Sequence, residues 1–420
     1  MTKRHKIRLI KAREILDSRG NPTVKVYLKS DSVESSFSVP SGVSEGEYEA
    51  LEIRDNGKRY FGKGVRRAVE NINQIIAPRF KGENVTKQEK IDRMLIELDG
   101  TEQKSNLGAN AILGVSIAVL KAAAQVRKLP LYNYIAKIFY KKQKNKILKL
   151  PQPSFLLIEG ALHAGNKLQV QEFMIIPQIK SFQEKLRVAS EIYHTLKIVL
   201  NGKYGSASTN VGYEGGFAPS LSRTEKALDL IMTAIKKAGY LSKIKIALDI
   251  AASTFYQKNS YKFEDKIFTG SGLLKYYFHL YNNYPIISLE DPFFEKDWED
   301  FQLMTKSFKN KITIFGDDLL ATNPKRIEKA GKLGACNGLL LKPDQIGTFS
   351  EAIDAASKAK ENKWKIMVSH RSGDTCDTFI SDFAVGIGAD FIKSGAPARG
   401  ERVAKYNRLL EIEEELSRGC

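Results

Sequence analysis

Three short apolar runs in the C-terminal part of the chain each end at an ionisable side chain. The runs span 286–289, 312–316 and 338–341, and the groups that close them are Glu290, Asp317 and Lys342. Apolar runs of this length, separated by helix-like polar segments, predict buried parallel strands in βα units. The spacing is 27 residues from 290 to 317 and 25 from 317 to 342. This is the period of a βα barrel, in which the strand ends meet at one face, so two acids and a lysine are predicted to share a cleft.

The N-terminal part has a different pattern. Residues 7–55 alternate apolar and polar positions, which predicts antiparallel strands, and residues 64–138 follow a helical period. Six lysines between 137 and 149, with prolines just beyond, predict a linker. We therefore predict an N-terminal α+β domain over 1–138, a basic linker over 139–150 and a barrel domain over 151–420.

Composition narrows the class of protein. The chain has 420 residues, 42% of them hydrophobic, and a formal net charge of +18. This charge suits an anionic ligand or a nucleic-acid surface, but a lysine-rich solvated exterior explains it as well. The basic N-terminus lacks an apolar signal region, and the apolar stretch 107–120 is shorter than a membrane span. Three cysteines in no metal-binding spacing favour a reducing compartment, so a cytoplasmic protein without membrane insertion is expected.

The strand-end acids indicate a metal site. A single acid in this position is more often a helix cap, but Asp249, Glu290 and Asp317 close three consecutive predicted strands. Carboxylate ligands with open positions suit Mg²⁺. Later strands end in donors that match a phosphate or carboxylate, namely His370, Arg371, Ser372 and Lys393. The predicted cleft therefore suits a small, doubly anionic substrate.

Ordered motifs along the chain resemble those of the enolase family. They are DSRGNPTV (17–24), VPSG (39–42) with Ser44, LGANAILGVS (107–116), QEFM (171–174), EGGFAP (214–219), SLEDP (288–292), GDDL (316–319), SHRSG (369–373) and ERVAKYN (401–407). The resemblance covers nearly the whole chain. It implies an α/β fold with a modified (β/α)8 TIM-type barrel, preceded by an α+β capping domain, and reversible dehydration of 2-phospho-D-glycerate to phosphoenolpyruvate. It also implies a homodimer.

The resemblance assigns roles to individual residues. Asp249, Glu290 and Asp317 would hold one Mg²⁺, and Ser44 would help bind a second. Lys342 would be the base, Glu214 the acid and Glu172 its supporting carboxylate. The residues lining the substrate would be His163, Gln171, Glu172, Lys342, His370, Arg371, Ser372 and Lys393.

The chemistry of the reaction requires such groups. Enolase-superfamily sites combine a Lys or His base with one or two Mg²⁺ ions that stabilise the ene-diolate. Lys342 must be neutral to accept a proton, and we expect Mg²⁺ and Lys393 to lower its pKa. Hydroxide is a poor leaving group, so an acid is needed, and two adjacent glutamates can share one proton.

Several positions depart from the family pattern. They are Tyr213 in place of Asp, Glu159-Gly160-Ala161 in place of Asn-Gly-Gly, Glu45 in place of Thr, Thr254 in place of Glu, and Asp344 in place of Asn. Because Tyr213 replaces a carboxylate, we expect either a lower pKa for the Glu172/Glu214 pair or a packing role only. The main alternative function is a catalytically weak enolase-like protein whose basic surface binds a macromolecule such as nucleic acid. Another acid-sugar dehydratase or racemase is a second alternative.

Overall fold

The computed structural model describes residues 5–42, 46–141 and 148–418. The chain begins with an antiparallel sheet of β1 (Ile7–Leu16), β2 (Pro22–Ser30) and β3 (Glu34–Ser38), in the order β1-β2-β3. Helices follow: α1 (Arg66–Glu70), a π-helical segment (Asn71–Ile76), α2 (Ala77–Phe80), α3 (Gln88–Asp99), α4 (Ala109–Val126) and α5 (Leu131–Phe139). The predicted antiparallel opening and helical continuation are both present.

Helix α4 is the core helix of this N-terminal part. Its length and composition would suffice to cross a membrane, but 83% of it is buried inside the protein. Small residues let it approach the sheet closely, since a Cβ on Gly114 would lie 2.6 Å from Val26 Cγ2. Its apolar surface is therefore used for packing against β2 and β3.

The remaining chain forms a closed eight-stranded barrel. Its strands are β4 (Gln152–Glu159), β5 (Glu172–Pro177), β6 (Ile244–Asp249), β10 (Ile286–Glu290), β11 (Thr313–Gly316), β12 (Gly338–Leu341), β13 (Lys365–Ser369) and β14 (Phe391–Lys393). Between β6 and β10 lies a small antiparallel sheet of β7 (Tyr256–Gln257), β8 (Ser260–Phe263) and β9 (Lys266–Phe268). The predicted strand ends at 249, 290, 316 and 341 agree with these bounds.

Helices separate most of the barrel strands. They are α6 (Phe182–Tyr204) and α7 (Thr224–Lys237) before β6, then α8 (Gly270–Asn283), α9 (Trp298–Phe308), α10 (Pro324–Leu333), α11 (Phe349–Glu361), α12 (Phe379–Gly386) and α13 (Gly400–Ser417). The first units break the alternation, because β4 leads directly to β5 and two helices then precede β6. This is the modified (β/α)8 arrangement expected from the resemblance.

Strand β5 runs antiparallel to both of its neighbours, β4 and β6. Its first residue, Glu172, therefore pairs with Asp249, the last residue of β6. Asp249 in turn pairs with Glu290, the last residue of the parallel strand β10. Reversal of one strand thus brings a strand-start carboxylate to the face where the other strands end.

The barrel interior is packed with side chains. Phe315, Leu340 and Met367 form a buried cluster, with Phe391 against it, so four consecutive strands fill the centre. Bulky residues in the lumen are typical of an eight-stranded barrel, whose interior is a core and not a pore. The densely packed barrel core therefore supports the site residues that lie above it.

The N-terminal part lies on the rim of the barrel. The backbones of Ser41 and Gly373 exchange two hydrogen bonds, of 2.7 and 2.9 Å, and Ala50 N donates to Gln345 O at 2.8 Å. Segments 41–42 and 46–50 therefore form part of the wall above the strand ends. The boundary at 139–150 stays a prediction, and residues 142–147 of that linker lie outside the described residues.

Candidate active site

The predicted site residues come together in one cleft of about 60 Å³ at the C-terminal face of the barrel. Those that line it are His163, Gln171, Glu172, Glu214, Asp249, Asp317, Lys342, His370, Arg371, Ser372 and Lys393. Glu290 lies just beneath, in contact with Lys393. Ser44, the predicted ligand of a second metal, is outside the described residues, as is Glu45.

Lys393, at the end of β14, is surrounded by carboxylates. Its Nζ lies 2.8 Å from both oxygens of Glu290, 3.0 Å from Glu172 Oε2 and 3.3 Å from Asp249 Oδ2. Gln171 Nε2 donates to the same Asp249 oxygen at 3.2 Å. Because burial and the neighbouring Asp249 both disfavour its charged form, the pKa of Glu290 is raised well above its usual value.

Lys342 pairs with the third predicted metal ligand. Its Nζ lies 2.5 Å from Asp317 Oδ2, while Gln345 Nε2 donates to Asp317 Oδ1 at 2.9 Å. Burial and the cations Arg371 and Lys393 act to lower the pKa of Lys342, but the carboxylate of Asp317 outweighs them and raises it. Lys393 thus acts in the expected direction, yet Asp317 holds Lys342 in its charged form.

The donor set fits a divalent cation. Glu172, Asp249, Glu290 and Asp317 bring four buried carboxyl groups to a region where two ammonium groups are their cationic partners. In their ionised forms these carboxyl groups exceed the two cations by two negative charges, which a divalent cation would balance. Within the described ranges, the groups whose ligand atoms all lie within 4.8 Å of one another are His163/Glu172/Glu214 and Asp291/Asp317/Asp318. The predicted trio is not among them: Asp249 and Glu290 contact Lys393, whereas Asp317 pairs with Lys342.

Glu214 occupies a different part of the cleft. Its Oε2 lies 3.1 Å from His370 Nε2, and its Oε1 lies 3.5 Å from His163 Nδ1. Burial lowers the pKa of both imidazoles, that of His370 to about 4. Base and acid candidates therefore belong to separate clusters, Lys342 with Asp317 and Glu214 with two histidines.

Glu172 and Glu214 divide one proton unequally. Burial and the negative charge of Glu214 and Asp249 raise the pKa of Glu172 well above its usual value, although Lys393 opposes this. Burial acts in the same direction on Glu214, but the two imidazoles and Arg402 hold its pKa well below the usual value. These opposite directions support the expected sharing of a proton and favour Glu172 as the residue that holds it.

Arg371 is poised between two carboxylates. Its Nη1 lies 3.0 Å from Glu49 Oε2, in the N-terminal part, and 2.5 Å from Asp344 Oδ2, two residues after the base. Ser372 Oγ accepts a hydrogen bond of 3.2 Å from Arg19. An anionic group entering here would compete with carboxylates for the guanidinium, so the departure at Asp344 has a direct consequence for anion binding.

The structure separates the roles of Tyr213 and Glu159. The Tyr213 side chain is 44% exposed, which favours the packing interpretation. Glu159 is fully buried under the Glu214 loop, where its Oε1 accepts from Gly216 N at 2.6 Å and from Glu214 N at 3.1 Å. Burial and the charge of Glu214 raise the pKa of Glu159 to about 8. Tyr213, in place of Asp, was expected to remove a negative charge beside Glu214. When Glu159 ionises, it supplies a negative charge at the same loop.

Sequence reasoning missed several groups that hold the site in place. They are Glu49, Glu159, Asp291, Gln345 and Arg402. Glu159 carried a usable signal, since it closes the apolar run 155–158 just as the predicted ligands close theirs. Asp291 accepts from the backbone N–H groups of Asp317 and Asp318, at 2.9 and 2.6 Å, and no local pattern announces such a contact.

Comparisons with known proteins agree with this geometry. Two family models match, "Enolase, N-terminal domain" over residues 7–135 and "Enolase, C-terminal TIM barrel domain" over residues 147–420. An enolase of Mastigamoeba balamuthi is 52% identical over 424 residues, covering 98% of this chain and 96% of its own. Enolases of Thermococcus gammatolerans and Thermococcus kodakarensis are each 53% identical, covering 98% and 96% of this chain and 95% and 94% of their own. With both family models and near full-length relatives above half identity, the chain belongs to the enolase family.

Proposed function

We propose that the chain interconverts 2-phospho-D-glycerate and phosphoenolpyruvate, with Lys342 as the base and Glu214 as the acid. Family membership supports the reaction, which is that of phosphopyruvate hydratase (EC 4.2.1.11). The observation that carries the residue roles is the presence in one cleft of a lysine beside a carboxylate cluster and a glutamate beside two histidines. Proton removal and hydroxide departure need two such separate groups.

Lys342 is suited to accept the proton next to the substrate carboxylate. It closes β12, and Thr322 Oγ1 accepts from its backbone N–H at 3.0 Å, which fixes the start of its side chain. The charge of Asp317 keeps Lys342 protonated, so binding of Asp317 to another cation would lower the pKa of Lys342 toward the neutral form. Burial, Arg371 and Lys393 then all lower its pKa in the direction that a base requires.

Mg²⁺ fits the buried oxygen donors of Asp249, Glu290 and Asp317, and a second ion would use Ser44. When bound, such ions supply positive charge that stabilises the dianion formed on proton removal. Lys393, Gln171 and Arg371 would orient the substrate's carboxylate and phosphate, since each presents a donor in the cleft. Glu172 would hold the proton that Glu214 delivers to the departing hydroxyl.

The alternative of a weak enolase-like binding protein is not favoured by full-length identity above half to enolases. A cytoplasmic homodimer remains part of our proposal, on the basis of cysteine use and family resemblance. Sedimentation of the purified protein would test the dimer.

Isotope exchange separates the two catalytic roles. Lys342→Ala should abolish exchange of the substrate's α-proton with solvent and the formation of phosphoenolpyruvate. Glu214→Gln should block dehydration by about a hundredfold or more while exchange continues, because the acid serves only the later step. Loss of exchange in both variants, with folding intact, would refute this division of roles.

Matched controls come from one exposed ion pair on α10. Lys332 and Glu328 lie 2.7 Å apart, with side chains 74% and 52% exposed. Lys332→Ala and Glu328→Gln make the same chemical changes away from the cleft and should leave both rates unchanged. A fall in either control would point to a general effect of charge on this basic protein.

A further inference from the structure

Arg402, on α13, is a fully buried cation that ties together three segments around the acid. Its Nη1 donates to Arg371 O at 2.7 Å, and its Nη2 donates to Ser372 O at 2.6 Å and to Tyr213 O at 3.2 Å. Tyr213 directly precedes Glu214. The guanidinium is therefore fixed relative to both the histidine segment and the acid loop.

The same group contacts His370. Arg402 Nη1 lies 2.7 Å from His370 Nδ1. A guanidinium has only N–H donors and no acceptor, so Nδ1 must present its lone pair. A neutral imidazole with a bare Nδ1 carries its proton on Nε2, and Nε2 faces Glu214 Oε2 across 3.1 Å.

The opposite tautomer is disfavoured at both ends of the ring. A proton on Nδ1 would point at the N–H groups of Arg402, and the bare Nε2 would face a carboxylate oxygen. Rotating the ring by 180° would place carbon atoms in front of both partners and remove both contacts. Burial lowers the pKa of His370 to about 4, so the neutral ring is the relevant form near neutral pH.

We propose that Arg402 is a positioning residue for the acid: it fixes His370 as the Nε2–H tautomer and so leaves Oε1 of Glu214 as the oxygen that carries the transferable proton. The Nε2–H group lies 3.1 Å from Oε2 without meeting hydrogen-bond geometry, and its positive end favours negative charge on that oxygen, so a proton on Glu214 belongs on Oε1. The inference rests on the proposed role of Glu214 as the acid. The tautomer itself follows from donor and acceptor chemistry alone.

Nitrogen-15 NMR of the full-length protein tests the tautomer directly. The chain has five histidines, and a His370→Gln variant identifies the signals of His370 by their loss. The proposal requires a protonated Nε2 and a bare Nδ1 at neutral pH. A protonated Nδ1 on neutral His370 would overturn it, whatever the activity data show.

Kinetics test whether the contact matters for the acid. Arg402→Met should lower dehydration at least about tenfold, a part of the usual contribution of a general acid, while α-proton exchange persists. Arg402→Lys, which can still donate to Nδ1, should recover part of the loss. Equal loss of both rates in folded Arg402→Met would mean a structural role only and would overturn the proposal.

A control variant and two distinguishable outcomes separate the test of Arg402 from the test of the proposed function. Arg418→Met changes an exposed arginine just beyond the same helix, 73% exposed and paired with Glu414, and should leave both rates unchanged. If Glu214→Gln itself stops exchange, the proposed role of Glu214 as the acid fails while the tautomer result still stands. If Arg402→Met does not fold, the spectrum of the unmodified protein decides the tautomer.

Discussion

Two opposing influences act on the charged form of Glu159, and the pH dependence of protein stability shows which of them is larger. Two backbone N–H groups favour its charged form, whereas full burial and the charge of Glu214 oppose it. The balance raises its pKa from 4.5 to about 8. A carboxyl group that binds its proton more tightly in the folded protein stabilises the fold at low pH and loses that contribution as the pH rises from about 4.5 through 8.

The magnitude follows from the size of the pKa change. At 1.36 kcal/mol per pKa unit, ionisation of Glu159 costs the folded protein roughly 4 kcal/mol more at pH 9 than at pH 5. Glu159→Gln removes this cost and keeps an oxygen for both N–H groups, because Oε1 accepts from Gly216 and from Glu214. The amide NH₂ of the variant would lie near Glu214 N. Because both groups are hydrogen-bond donors, this contact would offset a small, pH-independent part of the gain in stability.

Thermal unfolding of both proteins at pH 5, 7 and 9 measures the effect. For 420 residues, an unfolding entropy of about 2.1 cal/mol/K per residue converts 4 kcal/mol to a Tm difference of roughly 4–5 °C. The variant should therefore be close to the unmodified protein at pH 5 and several degrees more stable at pH 9. Glu299→Gln, at an exposed position on α9, controls for the loss of one charge.

A Tm difference that stays constant from pH 5 to pH 9 would refute the reasoning. It would mean that the two N–H groups overcome burial and that Glu159 is ionised throughout this range. A lower Tm for the variant at every pH would mean, in addition, that the carboxylate stabilises the Glu214 loop as a charged group.

Two further predictions concern the supports of the site. Asp291→Asn should weaken Mg²⁺ activation by about 10–100-fold, because Asp291 holds the backbone of Asp317 and Asp318. Excess EDTA should abolish the activity of the unmodified protein. An unchanged Mg²⁺ dependence in Asp291→Asn would exclude this positioning role. Gly212→Ala should lower both Tm and dehydration, since its Cβ would lie 2.3 Å from Glu159 Oε2 and 2.6 Å from His163 O. Gly202→Ala, in the open on α6, should instead stabilise the protein by about 1 kcal/mol, and equal effects at both glycines would contradict the steric argument.

The barrel and the main chemical groups could be predicted because each strand carries its own signal. An apolar run that stops at Asp249, Glu290 or Asp317 predicts both the strand and the point where the strand ends at the cleft. Local sequence holds this information, and parallel pairing then brings the strand ends together.

The supporting contacts could not be predicted in the same way. Arg402, on α13, and His370, just after β13, are 32 residues apart and meet through tertiary packing, and neither residue's neighbours in sequence indicate the contact. Tyr213 is a second case: its position beside Glu214 left both an electrostatic influence and a packing role open, and sequence alone did not indicate that the residue is 44% exposed. Adjacency in sequence fixes where the backbone goes, whereas side-chain direction depends on tertiary packing.

The reversed strand β5 has a consequence for how this protein can vary. His163 and Gln171 lie in the connection that joins β4 to β5, and Glu172 is the residue at which β5 begins, whereas one predicted site residue lies at the end of each of β10, β11 and β12. An insertion or deletion in that connection would shift three working groups at once, while a length change after β5, on the far side of the barrel, would shift none of these three. The β4–β5 hairpin therefore positions three site residues as one unit, and a change in its length should impair activity more than a change in the segment leading into α6.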